Sequence, residues 1–173
     1  MRTLLIGLAL TALAGAARAE VAATWEAGFR LENRATAAAS PDKVWAALGQ
    51  IGRWWDSQHS YTGDAANMTM PLEPGGCFCE RFPDGGGVEH GRVVMAWPAR
   101  KTLRIHGALG PLQDEGVSAA LTFVVKPAEG GGSEIVQTYN VGGARPDMVK
   151  AAPLIDSVVG AALKRLAAFA DKP

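Results

Sequence analysis

Cysteine is scarce in this sequence: Cys77 and Cys79 are the only two among 173 residues. That excludes the multi-bridge framework of small disulfide-stapled scaffolds. Charge of either sign is not in excess either, with 17 Lys and Arg against 17 Asp and Glu. No basic block occurs, so the electrostatic footprint of a nucleic-acid binder is missing. Beyond residue 19 no apolar run approaches the ~20 residues that cross a bilayer, and no stable membrane insertion of the mature chain is expected. The sequence also lacks a Gly-x-Ser-x-Gly elbow, a Walker loop and a dinucleotide fingerprint. It therefore implies no cofactor.

What is present begins with "MRTLLIGLALTALAGAARAE". A basic Arg2, an uncharged apolar run from Leu4 to about Ala14 and the small-residue pattern Ala17-Arg18-Ala19 follow the order of a cleaved secretory signal. Residues 1–19 are expected to be removed, leaving a chain that starts at Glu20 and is exported, in a bacterium to the periplasm. Residues 20–173 suit one domain. A chain of that size buries ~70% of the surface its unfolded form exposes and builds a core without staples.

Two periodicities organise the domain. "FRLENRATA" (Phe29–Ala37) alternates apolar and polar residues as a half-buried antiparallel strand does. "SPDKVWAAL" turns helical: Ser40 suits an N-cap, Pro41 the first helical position, and Val44, Trp45 and Leu48 form a stripe. "IGRWW" reads as a second short helix, and Asp56–Asn67 as a polar loop. Six further strands are expected at Met68–Leu72, Cys77–Phe82, Val88–Trp97, Thr102–Gly107, Ser118–Lys126 and Glu134–Val141, separated by Gly- and Pro-rich turns. After Pro146, Val149, Ala152, Ile155, Val159, Ala162, Leu166 and Ala170 fall near one helical face, with Pro153 dividing a short lead-in from the main helix. The expected class is α+β: a seven-stranded curved antiparallel sheet wrapped around a long C-terminal helix, with two short helices after the first strand. A twisted sheet closing on one helix leaves room for an apolar ligand between them.

"CFCERF" and "VEHGRVVM" read as the two arms of a hairpin around Gly85. A symmetric register places Glu80 opposite His90, Cys79 opposite Gly91 and Cys77 opposite Val93. Cys77 and Cys79 then share an apolar face with Val93 and Met95, and Glu80 and His90 share the other with Phe78 and Arg92. Thiolates and imidazole diverge, so no metal is expected. Two readings of the cysteines stay open. Buried, space-filling thiols suit the apolar neighbourhood; a Cys77–Cys79 bridge lies at the far edge of disulfide geometry, because i and i+2 Cα atoms of a strand are ~6.5 Å apart. Glu80 with His90 is a candidate acid/base pair, although Arg92 on the same face points to an exposed cross-strand ion pair.

The element order, together with "SPDKVWAALGQIGRWW", "EPGGCFCERF", "GRVVMAWPARKTLRI" and "GALGPLQDEG", resembles the SRPBCC (START-like, helix-grip) superfamily over almost the whole mature chain. Within it the chain looks most like polyketide-cyclase-like proteins and homologues of the heat-shock chaperone ATPase activators. The resemblance implies the helix-grip fold and a cavity under the C-terminal helix. The activator role conflicts with export, since its partner is cytosolic. The function expected is binding of a small hydrophobic or amphipathic molecule by a monomer or weak dimer. Trp45, Trp55, Met95, Trp97, Phe123, Tyr139 and Leu166 are the candidate lining. The alternatives are a cyclase, dehydratase or hydrolase using Glu80, His90 or Tyr139 for proton transfer, and an envelope interaction module acting through the GPLQ loop.

Overall fold

The computed structural model describes residues 19–173, and side chains from Val21 onward. The expected leader, residues 1–19, lies outside them except for the backbone of Ala19. One antiparallel sheet contains β1 (Ala19–Trp25), β2 (Gly28–Ala37), β3 (Met68–Thr69), β4 (Cys77–Arg81), β5 (Gly87–Trp97), β6 (Thr102–His106), β7 (Ser118–Pro127) and β8 (Ser133–Gly142). Their spatial order is β1-β2-β8-β7-β6-β5-β4-β3. Between β2 and β3 lie α1 (Pro41–Leu48) and three short 3₁₀ turns. After β8 come α2 (Pro146–Lys150) and α3 (Ala152–Ala170).

The sheet has eight strands, not the expected seven. The extra one, β1, pairs only with β2 at the sheet edge. Among its described side chains Val21 alone packs partly against the core, and Trp25 is half exposed. Backbone pairing holds this strand, so its sequence carries no alternation. The expected strand from Met68 to Leu72 shrinks to two paired residues.

The helices form where their caps permit. Ser40 Oγ accepts from Lys43 N at the start of α1, with Pro41 in the first turn, and Gly49 ends the helix. Val44, Ala47 and Leu48 are its buried face. The C-terminal half of α3 is held firmly. Leu163 and Leu166 are buried in the core, Asp171 Oδ1 accepts from Ala39 N at 2.8 Å, and Lys43 Nζ donates to Lys172 O at 2.7 Å.

The β4–β5 hairpin departs from the symmetric register expected from its sequence. It is centred on Asp84, one residue earlier than expected, because Phe82 N closes on Gly86 O around Gly85 and Gly86, both at positive φ. Cys77 lies opposite Arg92, Phe78 opposite Gly91, Cys79 opposite Glu89 and Glu80 opposite Val88, with a register shift between Phe78 and Cys79. His90 is the extra residue of that bulge. The faces are therefore exchanged. Phe78, Glu80 and His90 point into the protein and are buried, whereas Cys77 and Cys79 lie half buried on the outer face beside Glu89 and Arg92. Cys77 and Cys79 form a disulfide, with their Cα atoms 5.2 Å apart. That spacing is shorter than the ~6.5 Å of a flat strand and falls within the disulfide range.

Candidate functional site

Glu80 is a tightly held carboxylate. Its side chain is fully buried, and its oxygens accept from Thr62 N at 2.7 Å and Tyr61 N at 3.1 Å. His90 Nε2 lies 3.1 Å from Oε2. Burial pushes the Glu80 carboxyl up, but the hydrogen bonds from Thr62, Tyr61 and His90 outweigh it and hold the group below the ordinary carboxylate range. Burial pushes His90 down, and Glu80 opposes that without cancelling it. The resulting pair is an ionised carboxylate accepting from a neutral imidazole. That fixes the tautomer with the proton on Nε2 and leaves Nδ1 as the basic nitrogen.

Two glycines make the bulge possible. A Cβ on Gly107 would overlap His90 O and Gly91 Cα, and one on Gly91 would come within 2.8 Å of Ile105 Cγ2. The β5 and β6 backbones thus approach where only glycine fits, and His90 is turned inward there. Next to this point the Tyr139 hydroxyl accepts from Leu109 N at 3.0 Å and donates to Gly107 O at 3.2 Å. Burial pushes its pKa strongly upward. Tyr139 stays protonated and serves to fix the strand β6 exit.

In front of the pair lies a cleft of about 610 Å³. Trp55 and Tyr61 form one wall, Leu109 and Pro111 the second, and Ile155 and Val158 of α3 the third; His59 and Asp114 are among its polar members. Three interactions brace the loop wall: Glu80 holds the Tyr61 and Thr62 amides, Trp55 Nε1 donates to His59 O at 2.9 Å, and Asp56 pairs with Arg165 of α3. The aromatic rings connect cleft and pair. Tyr61 lies 5.8 Å from the His90 ring, Trp55 lies 5.7 Å from Phe78, and Phe78 lies 4.8 Å from His90. His90 sits directly behind the rings that line the cleft.

No protein-family model matches the chain, and no curated protein matches it. Solved structures do. A Rhodobacter sphaeroides protein aligns at 22% identity over 88% of this chain and 97% of its own, with a TM-score of 0.59. The di-domain ARO/CYC StfQ of the steffimycin biosynthetic pathway aligns at 13% identity over 84% of this chain and 51% of its own, TM-score 0.58. Norcoclaurine synthase from Thalictrum flavum aligns at 14% identity over 94% and 96%, TM-score 0.50. The fold is SRPBCC-like. At these identities the likeness concerns the fold alone.

Within this SRPBCC-like frame the expected lining residues scatter. Trp55 lines the cleft. Trp45 is half buried on α1 and packs against the core. Phe123, Tyr139 and Leu166 are fully buried core residues. Met95 and Trp97 face outward, opposite Arg104 and Thr102, after a second β5 bulge at Val94, and Arg100 lies over the half-exposed Trp97 ring. Of the catalytic candidates, Glu80 and His90 come together, while the Tyr139 hydroxyl is bonded to Leu109 N and Gly107 O and to neither of them. Leu109 and Val158 are cleft residues not singled out from sequence, whereas Tyr61 belongs to the Asp56–Asn67 polar loop and Pro111 to the GPLQ loop. Tyr61 sits in an irregular loop and Pro111 in the short 3₁₀ helix Gly110–Glu115, neither long enough to show a periodic face. Cys77, Cys79 and Glu89 bring ligand-type atoms within 4.8 Å of one another, but the sulfurs are joined and offer no thiolate.

Proposed function

We propose that this protein, exported and freed of its leader, binds a small apolar or amphipathic molecule in the cleft between α3 and the 55–61 and 109–114 segments. The observation that carries this reading is the cleft itself: concave, walled by Trp55, Tyr61, Leu109, Pro111, Ile155 and Val158, with polar groups confined to a few positions. An apolar fluorescent probe is expected to bind with a dissociation constant of roughly micromolar order. Val158→Arg places a charge in the cleft without touching the deeper core and should weaken the probe at least tenfold. Equal binding by wild type and Val158→Arg, with both folded, overturns the cleft assignment.

The export part of the reading rests on the order of charge, apolar run and small residues in residues 1–19. N-terminal sequencing of soluble protein from its own host should begin at Glu20. An intact Met1 rejects it.

A second reading, a proton-transfer enzyme of the cyclase kind, draws on one observation: a bulge spends a backbone irregularity to place a neutral, carboxylate-oriented imidazole behind the cleft wall. Native mass spectrometry of the host-purified protein separates the two. A co-purifying compound retained unchanged supports a carrier, and one converted by wild type but not by His90→Asn supports the enzyme.

A further inference from the structure

The Cys77–Cys79 disulfide has no place in the ligand reading, and three features set it apart from a structural staple. It closes over a single residue, Phe78. A loop that short restricts the unfolded chain least of all, so the bridge adds little to stability by the route that long-range disulfides use. It lies within one strand and joins no two elements.

Its surroundings are accessible. Both cysteines are half buried on the outer face of β4, and they line a groove of about 410 Å³ with Arg81, Gly86, Val88 and Glu89. That groove is on the opposite side of the sheet from the ligand cleft. A small thiol can reach the sulfurs without any part of the core opening.

The reduced state also has a partner waiting. Cys77 Sγ lies 3.8 Å from Glu89 Oε2, and Arg92, directly across from Cys77, pairs with the same carboxylate. A disulfide sulfur has no proton to donate there, whereas a Cys77 thiol has. Reduction creates a hydrogen bond that oxidation removes. That favours the dithiol relative to an ordinary structural bridge.

We infer that Cys77 and Cys79 form a reversible thiol–disulfide exchange site for low-molecular-weight thiols of the glutathione type. The thiolate of the reductant attacks Cys79 Sγ, forming a mixed disulfide as the Cys77–Cys79 bond breaks. Cys77 leaves, takes up the proton released by the first thiol and hydrogen-bonds Glu89. A second thiol then attacks the reductant's own sulfur in the mixed disulfide. Its proton goes to Cys79, and the products are one glutathione disulfide and the protein dithiol. Two electrons and two protons are transferred in all.

The test is a redox titration of the full protein in buffers of graded glutathione to glutathione-disulfide ratio. Samples are acid-quenched and alkylated, and the fraction carrying two alkyl groups is read by mass. Far-UV circular dichroism of the same samples reports the fold. The expected result is a reversible passage from wholly oxidised to wholly reduced within the glutathione range while the protein stays folded. Glu89→Leu, which removes the acceptor, should lower the dithiol-to-disulfide ratio at a fixed buffer several-fold. A bridge that stays closed across the range and opens only on unfolding overturns the proposal. So do cysteines that glutathione disulfide fails to oxidise. An unchanged midpoint in a folded Glu89→Leu protein overturns the part assigned to Glu89. The wild-type titration decides the main claim even where that variant does not fold.

Discussion

Glu80→Gln is expected to lower the unfolding free energy by about 2–3 kcal/mol and the melting temperature by roughly 5–10 °C. The carboxylate accepts three hydrogen bonds, from Tyr61 N, Thr62 N and the His90 ring, in a site closed to water. Glutamine keeps the shape, but it supplies one acceptor oxygen where two are needed and turns an NH₂ group toward a backbone donor. Charge-assisted bonds are also about twice as strong as neutral ones. Because Tyr61 is a wall of the cleft, the same variant should weaken probe binding, even though Glu80 itself lies behind that wall. Urea unfolding and probe titration of the one variant check both effects.

The same pair makes stability depend on pH in a defined direction. His90 has a folded pKa below its unfolded value near 6.5, so its neutral burial contributes fully above that pH and is lost as pH falls through the lower folded value. Glu80 is likewise depressed. Its contribution is complete above the unfolded value near 4.3 and is lost as pH falls through the folded value. Acidification therefore weakens the fold in two stages. The second stage should be absent in Glu80→Gln.

Gly107→Ala is the substitution with the largest expected effect, a loss of about 3 kcal/mol or more. The new methyl would overlap two backbone atoms, His90 O and Gly91 Cα, and not the tip of a side chain that could swing aside. Relief requires β5 and β6 to part at the bulge, which moves the His90 ring away from Glu80. Gly142→Ala is the matched control, since its Cβ would meet only Ser118 O at 4.0 Å. Comparable urea midpoints for the two alanine variants would show that the strands do not approach as closely as described.

Reading the chain as letters, the parity of each long strand is recoverable because one face is buried throughout. Phe29, Leu31 and Ala35 of β2, or Leu121, Phe123 and Val125 of β7, announce the inside. The cap at Ser40 and the stripe of α3 are equally plain. The bulge at His90 is not, because nothing in the alternation of β5 marks an extra residue there; moving the turn centre by one shifts pairings by two and keeps parity, whereas the one extra residue exchanges the faces of Glu80 and the cysteines relative to Val93. Arg92 was a fair signal of exposure for its own side chain, but a poor one for His90 once the two stopped sharing a face. The cleft was hidden for another reason. Half of its wall comes from loops and short 3₁₀ turns, where a side chain's direction follows from tertiary hydrogen bonds such as those to Glu80.

The unequal fastening of α3 has a mechanical consequence. From Leu163 onward the helix is seated in the core and tied to Ala39 and Lys43. Near its start Leu154 stands 70% exposed, Ile155 and Val158 border open space, and the Asn33–Asp156 hydrogen bond is the one side-chain tie from this end to the sheet among the described residues. The inner face of this half, Ala152, Asp156 and Val159, still rests in the protein. A side chain changed at Leu154, Ile155 or Val158 therefore alters the cleft wall without loosening the seat of the helix, which is carried from Leu163 onward.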